Sequence, residues 1–514
     1  MGTHPDKTRI VARATSAIVV FSCLFLGTGV VARAQDAPPI DVPSTDAETP
    51  PVRPDESKPA VVPPASAAPE PASAPSLPAY VLGEPLAGYS NGVAFLRAPD
   101  DSFVLLPNGR LQVDTYVFKT ANSGVPTDTF LLKRARLELG GWVGRALYFS
   151  IAADFASAPP SPTTSPIVQT NLNTTDDFVA VAPWGDLAIF QIGQFDAPFT
   201  LENRTSDKYF DFMERSVTVR AFGIPSNKEQ GLMAHGTNPA RNYYCSLALL
   251  NGDGQNFRNV DNEFDVMGRA WVAPFSFGAP EALHDITLGG SFWTGDRNGG
   301  LALANQTTQA GFTFLNTSAG FTDPANKTPA EIHQQGRLNA FALELNAPIA
   351  HKLGVRGEFV RKDQPLSAVN VTNLKAPVIL GAMRLKGWST YGEVWVWAIG
   401  DDRIIGEPGL QLPTRLKKFG VKPLEHGLMI GFRVDYVDET VSEGPDTVVM
   451  GVKSSALGTT KLIAPELGVN YWYSKRFRAT FNYVLNHFEG NTSYIKGLKS
   501  NNEQEFLFRI AIAL

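Results

Sequence analysis

The chain has 514 residues, 43% of them hydrophobic and 10% aromatic, with 45 Lys and Arg against 50 Asp and Glu and a formal charge of -5. A mean hydropathy of -0.08 is far below that of a bundle of membrane helices, and the near balance of charge argues against a nucleic-acid partner. The two cysteines lie in no CxxC or CxxxH pattern, so neither zinc nor thiol chemistry has support, and no metal or cofactor is expected.

Residues 1–34 read as a secretory signal. Lys7, Arg9 and Arg13 form the positive end, Ala17 to Val31 the apolar middle, and Ala32-Arg33-Ala34 a small-x-small cleavage site before Gln35. Cys23 falls in this leader, which leaves Cys245, in "NYYCSLALLN", as a half-buried strand residue with no partner for an internal disulfide. Residues 35–80 are rich in Pro and Ala, carry Asp36, Asp41, Asp46, Glu48, Asp55, Glu56 and Glu70 against Arg53 and Lys58, and have almost no aromatics. Such a segment cannot bury a core and reads as a disordered periplasmic linker, followed by a folded unit over 81–514.

From about residue 109 the pattern has period two. In "GRLQVDTYVFKT", Leu111, Val113 and Val117 share one face, and Arg110, Gln112, Asp114 and Tyr116 the other. In "RALYFSIAADFA", Leu147, Phe149, Ile151 and Phe155 alternate with Tyr148, Ser150 and Asp154. The alternation predicts sixteen strands, over 109–120, 129–140, 145–155, 177–184, 186–195, 230–237, 242–251, 264–274, 285–295, 337–347, 351–362, 387–399, 424–437, 461–473, 475–488 and 503–514. No amphipathic helical run is comparable, and no later segment approaches the ~18 apolar residues of a membrane helix.

Many of these strands exceed the usual ~5–6 residues and suit the ~9–11 of a tilted membrane strand. Short turns such as Gly140–Gly144 and Pro183–Gly185 interleave with long connections such as 296–336, 400–423 and 438–460. The chain stops on "EFLFRIAIAL", whose Phe506, Phe508, Ile510, Ile512 and Leu514 all fall on one face. As the edge of a soluble sandwich that row would need a second sheet over it. In a closed barrel it faces lipid and the last strand pairs with the first. The prediction is therefore an all-β, transmembrane antiparallel barrel of about sixteen strands.

If the large apolar side chains face lipid, Arg110, Asp114, Arg134, Arg136 and Glu138 face the lumen, and so do Arg356, Glu358, Arg433, Asp435, Arg478 and Arg509. Lys133 falls on the lipid parity, which places it near an interface or requires an irregular strand. Lumenal arginines lower the barrier for anions, and their forks suit phosphate or carboxylate oxygens. The alternative is that they pair with Asp114, Glu138, Glu358 and Asp435 merely to solvate a wet interior.

The stretch "FQIGQFDAPFTLENRTSDKYFDFMERS", Phe190 to Ser216, resembles the signature of the phosphate-selective porin O/P family, through Gly193-Gln194-Phe195, Pro198-Phe199, Thr205-Ser206 and Phe212-Met213-Glu214-Arg215-Ser216. "GRLQVD" and "RARLELGG" followed by "ADF" are similar to the family's opening strands. The resemblance implies a trimeric outer-membrane barrel of a Gram-negative bacterium, whose third loop, after Phe195, folds inward and narrows the pore. It implies basic pore-lining positions at Lys133 and Arg134, and at Lys208, Arg215 and Arg220 on the loop. The same loop carries Glu202, Asp207, Asp211 and Glu214, and Lys133 stands where the family has arginine.

The expected function is passive diffusion of small anions, phosphate or related oxyanions among them. Arg110, Lys133, Arg134, Arg136, Lys208, Arg215 and Arg220 are expected to line the pore and its constriction. The expected partners are outer-membrane lipid and two further copies of the chain. A general diffusion porin is the alternative, and so is a structural barrel tethered to the cell wall or an envelope protein through 35–80. An enzyme is not expected, because His235 in "HGTN" and His487 in "LNHFEG" have no recognisable nucleophile beside them.

Overall fold

The computed structural model describes residues 86–513 except for 91–92, 121–126, 145, 157–171, 225, 316–320, 323–328, 371–377, 405–425, 444–457 and 491–499. The predicted signal, the whole linker 35–80, and Leu514 lie outside the described residues.

Sixteen strands form the barrel: β1 Phe103–Lys119, β2 Thr129–Val143, β3 Leu147–Asp154, β4 Asp177–Val181, β5 Ile189–Asp196, β6 Lys228–Thr237, β7 Tyr243–Leu250 and β8 Asp265–Val272, then β9 Thr287–Ala302, β10 Pro329–Ile349, β11 Leu353–Asn370, β12 Val378–Ile399, β13 Gly427–Glu443, β14 Gly458–Ser474, β15 Phe477–Gly490 and β16 Asn502–Ala513. Each pairs antiparallel with its sequence neighbour. β16 returns to β1 in register from Gln504 opposite Lys119 to Ala513 opposite Arg110, so the sheet closes. Closure leaves no row of unpaired backbone groups, which is what allows a sheet to sit in hydrocarbon. A short hairpin, Ala87–Ser90 with Val93–Arg97, adds to the start of β1, with Phe95 buried against Val104 and Leu106.

Each of the sixteen predicted strands corresponds to one of these. The period-two pattern also sorts the faces as expected. Leu111, Leu137, Ile151, Ile192, Leu343, Val394, Phe432 and Phe508 are exposed on the outside. Arg110, Asp114, Glu358, Arg433, Asp435, Arg478 and Arg509 are buried inside. An exterior of this kind suits hydrocarbon and not water. Towards the end of the long connections, Phe341, Phe359, Trp388 and Tyr436 form a row of outward aromatic contacts across β10 to β13. Towards the other end stand exposed Trp184, Tyr471 and Tyr473. Aromatic girdles at two levels are the expected edges of an apolar band.

The structure corrects two expectations. Strands β9 to β14 run further than predicted, so 296–302, 329–336 and 438–443 are strand and not loop. Beyond the aromatic row the outer face no longer meets lipid and carries Asp363, Arg384 and Lys386, with Arg384 Nε 2.6 Å from Asp363. The alternation that marks a strand is lost there although the ladder continues. Second, connection 400–426 does not lie with the other long ones. Strand direction puts its described ends, 400–404 and 426, at the end that holds the tight turns 144–146, 350–352 and 475–476, hereafter the turn end. Its first residues fold back, and Ile404 is buried with Trp395, Trp397, Met429 and Trp472.

Replacing Val394 with lysine, midway between Trp388 and Ile399 on the outer face of β12, should destabilise the folded barrel by about 2–4 kcal/mol. Replacing Lys386, already exposed beyond the row, with alanine should change it by less than ~0.5 kcal/mol. Urea unfolding of the barrel in lipid vesicles measures both.

Candidate functional site

The connection 197–227, the third at the long-connection end, is the part of the chain around which the lumenal charges are organised. Gly193 begins it structurally: its φ is +133°, and a Cβ there would run into the Asp177 carbonyl oxygen. That accounts for glycine in the Gly-Gln-Phe motif. Phe195, Phe199, Phe212, Met213 and Phe222 of this part of the chain are buried. Phe212 lies against two inward glycines of the wall, where an added Cβ would approach its ring to 3.2 Å at Gly431 on β13 and 2.8 Å at Gly468 on β14. The Arg433 guanidinium covers the same ring at 4.4 Å.

Backbone groups of the connection are bound by charged side chains of the wall. Glu358 on β11 accepts the amides of Leu201 and Glu202 at 2.6 and 2.9 Å. Asp435 on β13 accepts the amide and hydroxyl of Thr218, both at 3.2 Å. Arg478 on β15 donates to the Phe210 carbonyl at 2.6 Å, Arg433 to that of Glu214 at 3.1 Å, and Arg509 on β16 to that of Met213. Helix α1, Val217–Phe222, is capped by Ser216, whose Oγ accepts from the Val219 amide. Glu202 in turn accepts from the Ser216 amide and hydroxyl at 2.8 and 2.7 Å.

The seven predicted site residues all come to this place, and carboxylates gather six of them. Asp207 pairs with Arg110, with Arg134 Nε at 2.7 Å and with Arg136 Nη1 at 3.3 Å. Glu214 pairs with Lys133 at 3.5 Å, Arg134 at 3.5 Å, Arg220 at 3.7 Å and Arg509 at 2.6 Å. Glu138 takes Arg110 and, at 3.0 Å, Lys208. Asp154 takes Arg136 at 2.6 Å. Arg215 makes no carboxylate contact of this kind. It donates to the carbonyls of Glu202 and Thr205, both at 3.1 Å, and covers the Phe210 ring. Six of the seven, joined by Arg509, thus meet Glu138, Asp154, Asp207 and Glu214, with Asp114 also on Arg509, a local positive excess.

Lys133 reaches this cluster through a bulge. Val113 faces Leu132 and Gln112 faces Arg134, so Lys133 is the extra residue on β2. The bulge brings its ammonium inside, 5.9 Å from the Tyr116 ring centre. Of the two placements open from the sequence, the irregular strand is the one found.

Burial opposes ionisation of Asp207, but Arg110, Arg134 and Arg136 outweigh it and hold its carboxyl well below the usual range. Glu214 behaves alike, with Lys133, Arg134 and Arg509 overcoming burial. Lys208 is pushed down to about 8 by burial and by Arg110, against the pull of Glu138.

Across the lumen the balance reverses. Glu344, Glu358, Glu393, Asp435, Glu439 and Glu466 are buried on β10 to β14 with Lys362 and Arg433 and beside half-buried Arg356 of the same strands, joined by Arg269 of β8. A second buried segment, 303–315 between β9 and β10, is held on this side by neutral donors. Gln306 bonds Glu439 at 2.9 Å, Gln309 bonds Glu466 at 2.8 Å, and the Ala310 amide bonds Glu505 on β16 at 3.2 Å. Phe312 and Phe314 pack there on Phe488.

Residues 107–296 match the model of the family described as phosphate-selective porin O and P. The match covers β2 to β8, most of β1 and of β9, and the whole connection 197–227. No curated protein matches the chain. Among solved structures it is similar to OmpT, an outer membrane protein of Vibrio cholerae, with 10% identity, 82% of this chain and 99% of that chain covered, and a TM-score of 0.47. It is also similar to the outer membrane channel DcaP of Acinetobacter baumannii, with 8% identity, 82% and 99% covered and a TM-score of 0.43. The anion-selective porin from Comamonas acidovorans gives 8% identity, 80% and 100% covered and a TM-score of 0.42.

The two histidines weighed for catalysis have other surroundings. His235 is buried beside Tyr244, and its cross-strand neighbour Ser246 donates its hydroxyl to the Arg269 carbonyl. His487 bonds Asn502 at 2.6 Å. Among the described residues, three side chains that the sequence list left out organise the site: Asp207, Glu214 and Arg509. The first two carry the same charge as neighbouring loop acids, and only the fold singles them out. Arg509 could have been found, because pairing of the last strand with the first sets it opposite Asp114.

Two outcomes follow. Replacing Arg509 with methionine leaves Asp114 and Glu214 without their shared cation, and should cost about 3–5 kcal/mol in urea unfolding. Raising pH from 7 to 9 takes Lys208 through its titration near 8 and removes a positive charge from the cluster. Anion preference in planar bilayers should therefore fall over that interval, and the fall should vanish in Lys208→Met.

Proposed function

We propose that this protein is an outer-membrane porin of a Gram-negative bacterium through which small anions, phosphate or related oxyanions among them, diffuse passively. In this reading 197–227 is an inward-folded third loop that narrows the lumen, and the chain works as a homotrimer. The observation that carries the reading is the gathering of Arg110, Lys133, Arg134, Arg136, Lys208, Arg215 and Arg220 around fewer carboxylates on one side of the lumen. A local excess of fixed cations attracts an anion and lowers its desolvation cost along that side. The apolar outer band and the family match over 107–296 support the membrane setting.

A specific observation favours a second reading, a general diffusion porin. The carboxylates on β10 to β14 oppose the cations across the lumen, and a transverse separation of charge orients permeating solutes without strongly selecting their sign. The zero-current potential across a KCl gradient in a planar bilayer separates the two. A potential of anion-preferring sign is expected. A value near zero, or of cation-preferring sign, would leave the barrel a general porin.

A further inference from the structure

We propose that the outer face of β10 to β12, at and just beyond the aromatic row, docks the headgroup of an anionic lipid that exposes phosphate monoesters. The occupant is a lipid of the leaflet at the long-connection end, away from the turn end, which in a barrel of this kind is the outer leaflet. The inference rests on the membrane setting of the proposed function and not on which solutes pass.

Arg337 on β10, Arg361 on β11, and Arg384 and Lys386 on β12 are exposed on this face. Arg361 is flanked across the ladder by Phe341 and Trp388, two members of the row, and follows Phe359 on its own strand. Arg337 Nε donates to the Thr294 hydroxyl at 3.3 Å, and no ion pair engages Arg337 or Arg361 among the described residues. Arg384 spends one edge on Asp363, with Nε at 2.6 Å and Nη2 at 2.8 Å, and Lys386 Nζ stands 3.9 Å from the same carboxylate. Asp296, opposite Arg337, is the other acid at this level. Four cations on these strands thus face two acids. On the neighbouring β13 and β14, Asp438 and Lys461 pair at 3.5 Å and cancel.

An aromatic row marks where hydrocarbon gives way to headgroups. Arg361 and Lys386 stand one pleat, about 7 Å, beyond Phe359 and Trp388 along their strands, which is headgroup depth. Neighbouring strands are about 4.8 Å apart, so cations on three of them come within reach of one headgroup. A bare guanidinium beside lipid is costly unless its long stem carries it to a counter-charge. For Arg361, with an aromatic on either side, a headgroup phosphate supplies one, and the fork of the guanidinium suits its oxygens. Asp363 orders Arg384 and Lys386 on the next strand without cancelling both.

Native mass spectrometry of the full chain, folded in detergent, counts the lipid it retains. The probes are diphosphoryl lipid A, an acylated disaccharide bearing two phosphate monoesters, and its monophosphoryl form, which has the same chains. Retention of the diphosphoryl lipid is expected at about fivefold lower concentration. Arg361→Gln and Lys386→Gln should each weaken that retention about fivefold, the worth of one basic residue at an anionic surface. Lys461→Gln, two strands away, should change it less than about twofold. Equal retention of the two lipids, unchanged retention in Arg361→Gln, or an equal loss in Lys461→Gln overturns the proposal. If Arg361→Gln does not fold, unchanged retention in Lys386→Gln overturns it. A cation-preferring bilayer potential would remove the anion-porin reading and leave this docking surface in place. An anion-preferring potential with no such retention would do the reverse.

Discussion

The pairing of Arg509 with Asp114 is where closure of the barrel and placement of connection 197–227 become one constraint. The two residues stand opposite each other on the last and first strands, both fully buried, joined through both nitrogens of one guanidinium edge at 2.7 Å. The rest of the guanidinium reaches Glu214 and the Met213 carbonyl. A buried ion pair gains little over a hydrophobic one of the same shape, because desolvation consumes most of the attraction. What it supplies here is registry. A slip of one residue between β16 and β1 would turn Arg509 towards lipid, leave Asp114 without its cation and take one of four from Glu214.

The same economy governs the other wall charges. Glu358 and Asp435 accept amides from 197–227, and Arg433, Arg478 and Arg509 donate to its carbonyls. An irregular segment inside a barrel has backbone groups that no ladder satisfies, and each would be costly if left bare. Charged side chains on the strands satisfy them with stronger bonds than neutral ones could. The inward face of the wall is therefore charged partly because connection 197–227 needs a scaffold. Anion preference, where it exists, comes from the cations left over after that scaffold is built.

Much of this was legible in the sequence, and for a definite reason. Within the apolar band each strand has one face in lipid and one in a polar interior, so Leu111, Val113 and their counterparts announce both the strand and its orientation. Where the outer face meets water, as at Asp363, Arg384 and Lys386, the contrast disappears and so did the predicted strand ends. The length of connection 400–426 does not show on which end of the barrel it begins, because that is set by strand parity. Lys133 shows a different limit. Period-two counting cannot locate a bulge, and one extra residue between Leu132 and Arg134 moved a lysine from the lipid side to the pore. Partners were least legible of all: Asp207 and Glu202 belong to one loop, yet one collects three arginines and the other ties the cap of α1.

Parity sorted Arg356, Arg433, Arg478 and Arg509 into one class, the inward arginines, and the structure divides that class by how many donors each has spent. Arg509, and Arg356 between Asp211 and Glu393, are held by carboxylates on the wall and the connection. Arg433 is surrounded by acids. Their charge is neutralised locally and contributes mainly order. Arg478 has an aromatic face and a carbonyl instead of a carboxylate, so its charge is not cancelled by a direct partner, and it lies where Arg110, Lys208 and Arg476 add to it. The field that a permeating anion meets depends on such residual charge and not on the number of arginines facing inward.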